Sequence, residues 1–308
     1  MCLISICIPA YKRTEFLGRL LNSLVIQDFK DFEAVITDDS PDDSIQRFCA
    51  AYADLLPIHY HKNPGQLGTP ENWNEAVRQA NGKWIKIMHD DDWFSGPASL
   101  TRFANAIKQN PDCAFIFSAY SNYFFDRSES QKVKLSSWWF SRLEKSPLVL
   151  FSTNLIGPPS VVIFKKSASC EFDPRLKWLV DIDFYIRLQA HLKPVYIKEH
   201  LVNVGISEEQ VTASCFREPN VEIPESFHLL SKLGPSPFRN PFFYDGWWRL
   251  LRNLNIRSLD QIREAGYQGE VHPIISRMIS CQRAIPKSLL KIGPVSKSLM
   301  FLSYLINS

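Results

Sequence analysis

The first four apolar runs of this 308-residue chain each stop at a turn-forming or acidic cluster, and the segments between them carry apolar residues at helical spacing. That alternation restricts the fold to a largely parallel α/β sheet, because parallel neighbours need a crossover long enough to hold a helix. Residues 3–8 are the first predicted strand, stopped by Pro9. Phe16, Leu17, Leu20, Leu21 and Leu24 then repeat with helical period, giving one face to cover the sheet. Residues 32–37 form the second strand and run into Asp38 and Asp39; a helix over 44–53 leads to a third strand over 58–61. Thr69 reads as an N-cap with Pro70 at the first helical position, Trp73, Ala76, Val77 and Ala80 as the buried stripe, and Asn81-Gly82 as the stop. The fourth strand, 84–88, delivers His89-Asp90-Asp91-Asp92, and a helix over 98–110 and a strand over 114–119 complete this half.

Ligands of open parallel sheets bind beyond the carboxyl ends of the strands. Pro9-Ala10-Tyr11, Asp38-Asp39 and Asp90-Asp91-Asp92 all fall at such ends. Three adjacent carboxylates behind a buried strand repel one another, and a divalent cation relieves that repulsion; oxygen donors select Mg²⁺ or Mn²⁺ over zinc. The alternative is a solvated acidic loop ahead of a helix. A carboxylate of the Asp38-Asp39 pair can accept the ring N–H of a pyrimidine with Tyr11 against the base, while an Asx-type turn is the other reading of Asp38. No GxGxxG follows the first strand, and no GxxxxGK[ST] or GxSxG occurs, which excludes a dinucleotide-binding dehydrogenase, a P-loop kinase and an α/β-hydrolase.

A net charge of +3 is too small to point to nucleic acid. Beyond Glu270, however, there is no acidic residue, while Arg277, Arg283, Lys287, Lys291 and Lys297 are all basic. Seven scattered cysteines without a CxxC pair or zinc spacing fit a reducing compartment. With residues 3–8 too short for a signal peptide and 146–164 broken by Gly157, Pro158 and Pro159, a cytoplasmic location is expected.

The order and spacing of Pro9-Ala10-Tyr11, Thr37-Asp38-Asp39-Ser40, Asn72 with Ala80-Asn81-Gly82-Lys83, and His89-Asp90-Asp91-Asp92-Trp93 resemble family 2 glycosyltransferases of the GT-A fold. Phe172-Asp173-Pro174-Arg175-Leu176 followed by Val180-Asp181-Ile182-Asp183-Phe184 resembles that family's segment carrying an acidic catalytic residue. The resemblance implies a Rossmann-like, mixed but mostly parallel sheet flanked by helices. It implies a glycosyltransferase domain over 1–220, with a nucleotide-binding half over 1–120 and an acceptor half over 121–220, followed by a basic helical extension over 221–308. It also implies an inverting transfer of a sugar from a UDP- or dTDP-sugar to an acceptor hydroxyl, in bacterial surface polysaccharide synthesis. Asp39 would then recognise the pyrimidine, with Tyr11, Ala10 and Pro9 lining its pocket. Asp91 would lie near the ribose, Asp92 would be the principal contact of Mn²⁺ or Mg²⁺ supported by Asp90, and Asp181 would be the general base, with Asp183 its competitor. Two departures stand out: Val180 replaces an acidic residue, and Val202-Asn203-Val204-Gly205-Ile206 lacks the family's Arg and His, while Gln210-Val211-Thr212 keeps part of the later pattern. A sugar-1-phosphate nucleotidyltransferase and a non-catalytic sugar-nucleotide or glycan-binding module are the alternatives; the first calls for a GxGTR-like loop where Pro9-Ala10-Tyr11-Lys12-Arg13 stands.

Leu289, Leu290, Ile292, Leu299, Met300, Phe301, Leu302, Tyr304, Leu305 and Ile306 interleave with lysines near the C-terminal end. Such a segment suits either the anionic inner face of a membrane, near a glycan or lipid-linked glycan acceptor, or packing on the chain's own core or a second subunit. Trp138-Trp139-Phe140 and Trp247-Trp248 both read as core.

Overall fold

The computed structural model describes residues 2–168, 170–189, 193–207, 215–234 and 236–307, so Gln210-Val211-Thr212 lies outside the described residues. Among those, nine strands enter one sheet: β1 (Ile4–Ala10), β2 (Phe32–Asp38), β3 (Ile58–Lys62), β4 (Trp84–Ile87), β5 (Trp93–Phe94), β6 (Phe115–Phe124), β7 (Glu129–Val133), β8 (Val162–Lys165) and β9 (Val195–Ile206). Their order is β3-β2-β1-β4-β8-β6-β9-β5, with β7 on the free flank of β6. β3, β2, β1 and β4 are parallel neighbours, and β6 pairs parallel with β9. β8 runs antiparallel between β4 and β6, and β5 antiparallel to β9. The sheet is therefore mixed and mostly parallel, as its alternating pattern predicts.

α1 (Thr14–Val25), α2 (Ser44–Ala50), α3 (Glu71–Gln79) and α4 (Ser99–Gln109) form the crossovers. Leu17, Leu20, Leu21 and Leu24 of α1 are fully buried, each worth about 1.5–3 kcal/mol of apolar burial. Three local expectations change. β1 does not stop at Pro9: its ladder with β4 ends at Cys7–Ile87, so the missing amide N–H forfeits no bond on that side, and Pro9 stays in register with Thr37 of β2. Pro70, not Thr69, occupies the N-cap position of α3. That helix buries Asn72 and Asn74 with Ala76, whereas Trp73 and Val77 are only half-buried.

The chain divides into two compact units that are interleaved along the sequence rather than separated by one cut near 220. The first comprises residues 1–144, 155–174 and 183–210 and contains the sheet; the second comprises 145–154, 175–182 and 211–308. α5 (Ser137–Lys145) and α6 (Val180–Leu188) lie at the joints. The second unit is helical: α7 (Pro219–Lys232), α8 (Pro241–Asn253), α9 (Leu259–Glu264), α10 (Pro273–Arg283), α11 (Lys287–Lys291) and α12 (Gly293–Asn307). Asn240 caps α8 by accepting the N–H groups of Phe242 and Phe243, with Pro241 preset at the first helical position. Its core is aromatic, built on Phe227, Phe238, Phe243, Tyr244, Trp247 and Trp248. Trp247 and Trp248 are thus core as read, but Trp138 is 53% exposed, because α5 buries only Leu143. No helix among the described residues is long and apolar enough to cross a membrane.

Candidate active site

The register of β1 and β2 sets Ala10 beside Asp38, and the Asp39 N–H donates to the Ala10 carbonyl at 3.0 Å. Asp38 and Asp39 diverge from there. The Asp38 carboxylate turns inward and is fully buried, accepting from the Ser40 N–H (2.7 Å), the Tyr60 hydroxyl (2.7 Å) and Lys62 Nζ (3.0 Å). Burial pushes its pKa up, but those donors outweigh burial and hold it below the usual carboxylate range. Asp38 is the Asx-turn residue, with a structural job. Asp39, 7% exposed, accepts on Oδ1 from Asn63 Nδ2 (2.7 Å) and the Leu67 N–H (3.1 Å), and on Oδ2 from the Gly68 N–H (2.8 Å). A carboxylate has about four lone-pair sites, so one on Oδ2 is left for a ligand N–H. Asn72, in turn, accepts from Asn63 at 2.9 Å and donates to the Thr37 carbonyl, which explains why a polar side chain is buried on α3. Tyr11 is 38% exposed at the β1 end, with Lys12 Nζ 4.8 Å from its ring centre.

β4 ends in the acidic triplet, all three members of which are buried. Arg13, at the start of α1, reaches across: its Nε donates to Asp90 Oδ2 at 3.2 Å, its Nη2 forms a second, closer contact with Asp90 Oδ1, and its Nη1 lies 3.4 Å from Asp91. Burial lifts Asp90 to about 7, against the pull of Arg13. Asp92 Oδ1 accepts the Gly205 N–H at 2.9 Å, and Gly205 has no room for a side chain, since a Cβ there would lie 2.3 Å from the Asp91 carbonyl. Burial first, then the neighbouring Asp91, pushes Asp92 well above the carboxylate range. Asp92 Oδ2 makes no hydrogen bond, nor does His89 Nε2. Burial also lowers the His89 pKa, which favours the neutral, ligating imidazole.

One donor atom each from His89, Asp91 and Asp92 lies within 4.8 Å of the other two. The Asp90–Asp92 pair expected from the sequence is not the set that converges, because Asp90 is turned onto Arg13. Two carboxylates and a neutral imidazole, with two buried atoms lacking hydrogen bonds, form a donor set suited to Mn²⁺ or Mg²⁺. Ser160 supports this cluster: its hydroxyl accepts the His89 N–H at 3.0 Å. Beneath it, the fully buried Lys86 donates to the carbonyls of Ser160 and Val162, and burial brings its pKa down to about 7. Trp73 lies against the His89 ring, 4.8 Å between centres. The sequence assigns no site role to Arg13, His89, Ser160 or Gly205, although His89 follows the fourth strand directly and Arg13 stands just behind Tyr11-Lys12.

Asp181 belongs to the second unit, in the first turn of α6. Asn154 Nδ2 donates to its Oδ2 and the Ile182 N–H to its Oδ1, both at 2.8 Å, yet burial dominates and raises its pKa to about 6. Asp183, fully buried, is held by Arg187 at 2.8 Å from Nε and 2.7 Å from Nη2. Ahead of α6, the buried Glu225 carboxylate accepts the N–H groups of Lys177, Trp178 and Leu179 at 2.8–2.9 Å.

A model of glycosyl transferase family 2 matches residues 5–170, more than half the chain. The chain belongs to that family. Among curated relatives, a putative colanic acid biosynthesis glycosyl transferase, WcaA of Escherichia coli K12, is 26% identical over 219 residues, covering 69% of this chain and 76% of that protein. Among solved structures, S. aureus TarS 1-349 in complex with UDP-GlcNAc superposes with a TM-score of 0.61 at 18% identity, over 99% of this chain and 89% of that one. The mannosyltransferase PcManGT of Pyrobaculum calidifontis, in complex with GDP-Man and Mn²⁺, gives 0.58 at 15% identity, over 99% and 87%. At such identities the superpositions establish the GT-A-type fold, while membership rests on the family model.

Proposed function

We propose that this enzyme transfers a sugar, with inversion, from a pyrimidine-diphosphate sugar to an acceptor hydroxyl in the assembly of a bacterial surface polysaccharide. The observation that carries the reading is the convergence of His89, Asp91 and Asp92 at the carboxyl end of β4, two strands from Asp39. Asp39 offers its remaining Oδ2 lone pair to the ring N–H of the base, and Tyr11, with Ala10 and Pro9, walls that pocket. Asp92 is the principal ligand of the cation, joined by Asp91 and His89; Asp91 also lies nearest the ribose. Asp90 holds Arg13 in place, and Arg13 keeps the triplet from repelling itself apart. A bound Mn²⁺ or Mg²⁺ supplies charge stabilisation for the departing diphosphate. Asp181 is the general base: its raised pKa suits a group that takes a proton from the acceptor near neutral pH. Asp183 is excluded from that role by Arg187. The basic C-terminal end, α11 and α12, rests on the inner face of the membrane, where a lipid-linked acceptor is available.

Thermal-shift titration with UDP, dTDP, GDP and ADP, each with and without Mn²⁺, tests the donor site. The expected result is a metal-dependent rise with one pyrimidine diphosphate that Asp92→Ala abolishes. A folded protein that shifts with none of them overturns the assignment.

A further inference from the structure

The second unit carries a basic cleft that shares no residue with the proposed donor, metal and base positions. It has a volume of about 230 Å³ and lies between α8 and α12, lined by Asp245, Trp248, Arg249, Arg252, Ser296 and Lys297. Lys297 Nζ sits 2.8 Å from Asp245 Oδ2, the one carboxylate of the lining, so three basic side chains face a single acid. Arg249 and Arg252 stand three residues apart on one helix face, and burial first, then the Arg249 charge, lowers the pKa of Arg252. Ser296 Oγ accepts from Trp248 Nε1 at 3.1 Å and from Arg252 Nη1 at 3.0 Å, which keeps its own O–H as a donor. Arg249 Nη1 is anchored on the Ser152 carbonyl at 3.0 Å. Paired guanidiniums, an ammonium and a hydroxyl around a cleft of this size match the oxygens of a phosphate group.

The same helix indicates which phosphate. Lys297, Phe301 and Leu305 fall on one row of α12 at four-residue spacing, with Ser298, Leu302 and Ile306 on the row beside it. Phe301, Leu302, Leu305 and Ile306 are 52–80% exposed, and Leu289 and Ile292 of the α11 segment are exposed as well. At 1.5 Å per residue the apolar rows extend about 12 Å from Lys297. A soluble phosphate compound would use the cleft but has no contact to make with those side chains; a phospholipid has both. We propose that this cleft binds the phosphate of an anionic phospholipid headgroup, with the exposed rows of α12 entering the acyl layer beside it. This assignment deepens the membrane-surface reading above and rests on it.

Co-sedimentation of the full chain with phosphatidylcholine vesicles, with and without phosphatidylglycerol, tests it. The variants are Arg249→Gln/Arg252→Gln in the cleft, Lys287→Gln/Lys291→Gln outside it, and Leu305→Ser/Ile306→Ser on the apolar rows; the metal-dependent nucleotide shift confirms that each is folded. Wild type is expected to bind phosphatidylglycerol vesicles. The lysine pair removes surface charge alone and weakens binding roughly tenfold, and the arginine pair weakens it about tenfold further. Leu305→Ser/Ile306→Ser is expected to release the vesicles while keeping its thermal shift with inorganic phosphate. Equal losses in the arginine and lysine pairs would overturn the headgroup site and leave the membrane reading standing. Binding of inorganic phosphate without binding of any vesicle would overturn both in favour of a soluble phosphate ligand. A wild-type dimer that ignores vesicles and becomes monomeric in the Leu305/Ile306 variant would make α12 a subunit contact and likewise overturn the proposal.

Discussion

A general base must lose its own proton before it can accept one, so under the proposed assignment the pKa of Asp181 sets the pH at which transfer begins. With burial lifting that pKa to about 6, kcat/KM is expected to fall tenfold per unit below about pH 6 and to level off above it. Asp181→Asn should lower kcat by about 10²–10⁴ and remove that limb of the profile, while leaving the metal-dependent nucleotide shift unchanged. A profile that keeps the same limb in Asp181→Asn would assign the base elsewhere. The same shift has a stability consequence of definite sign. Between the unfolded carboxylate value near 4 and about 6, the folded chain binds more protons than the unfolded one, so Asp181 lowers stability as pH rises through that window. Ser160 is the second residue whose role is separable. Ser160→Ala leaves the His89 N–H without its acceptor and so loosens the residue that leads into the cluster. The expected outcome is a 10–100-fold weaker apparent Mn²⁺ affinity in titrations of the nucleotide shift, with little change in metal-free nucleotide binding.

At the scale of elements, α6 is held at its entrance by a carboxylate from another helix. Glu225 of α7 accepts three consecutive N–H groups at residues 177–179, the turn that leads directly to Asp181. Glu225→Ala strands those donors, at about 1–3 kcal/mol for an unsatisfied buried group. A lowered melting temperature and a fall in kcat larger than the change in KM are expected; an unchanged kcat would show that the turn holds without Glu225. Such pairings also mark where the sequence stops being readable. The strands of the first half and the acidic cluster after β4 were legible, because apolar runs and strand ends are local features. Gly205 was not: its N–H meets Asp92 only because β9 returns beside β6 and lies against β5, 113 residues downstream. The stretch that looked like a departure from the family pattern supplies that bond. Asn72 and Asn74 were missed for a related reason. A polar side chain looks solvent-facing in a periodicity reading, whereas these two are buried by partners at Asn63, Thr37 and Phe172. Trp138 failed in the opposite direction, since hydrophobicity alone does not say whether α5 has anything to pack against.

At the scale of the whole molecule, the helical unit is built from more than the C-terminal segment. The second unit takes residues 145–154 and 175–182 from the middle of the chain, and these are structural parts of it. The 3₁₀ turn at Pro147–Phe151 packs into the helical unit, with Phe151 4.8 Å from Phe243 and 5.7 Å from Trp247 between ring centres. Gly246 lies so close that a Cβ there would meet Phe151 at 2.6 Å. Cutting the chain at residue 220 therefore splits the second compact unit, leaving residues 145–154 and 175–182 on one side and its helices on the other. The fragment 1–220 would keep every strand but lose the helices that cover Phe151, and with Glu225 it would lose the acceptor for the turn before Asp181. Fully burying one aromatic side chain is worth about 1.5–3 kcal/mol, and two or three such losses consume much of the roughly 5–15 kcal/mol that separates folded from unfolded chains. The fragment 1–220 is expected to aggregate or to unfold without a cooperative transition, whereas the full chain unfolds cooperatively; size-exclusion chromatography and thermal unfolding compare them. A soluble 1–220 fragment with a sharp transition and the same metal-dependent nucleotide shift would show instead that the sheet unit is self-sufficient, and that the helical unit only borrows these segments.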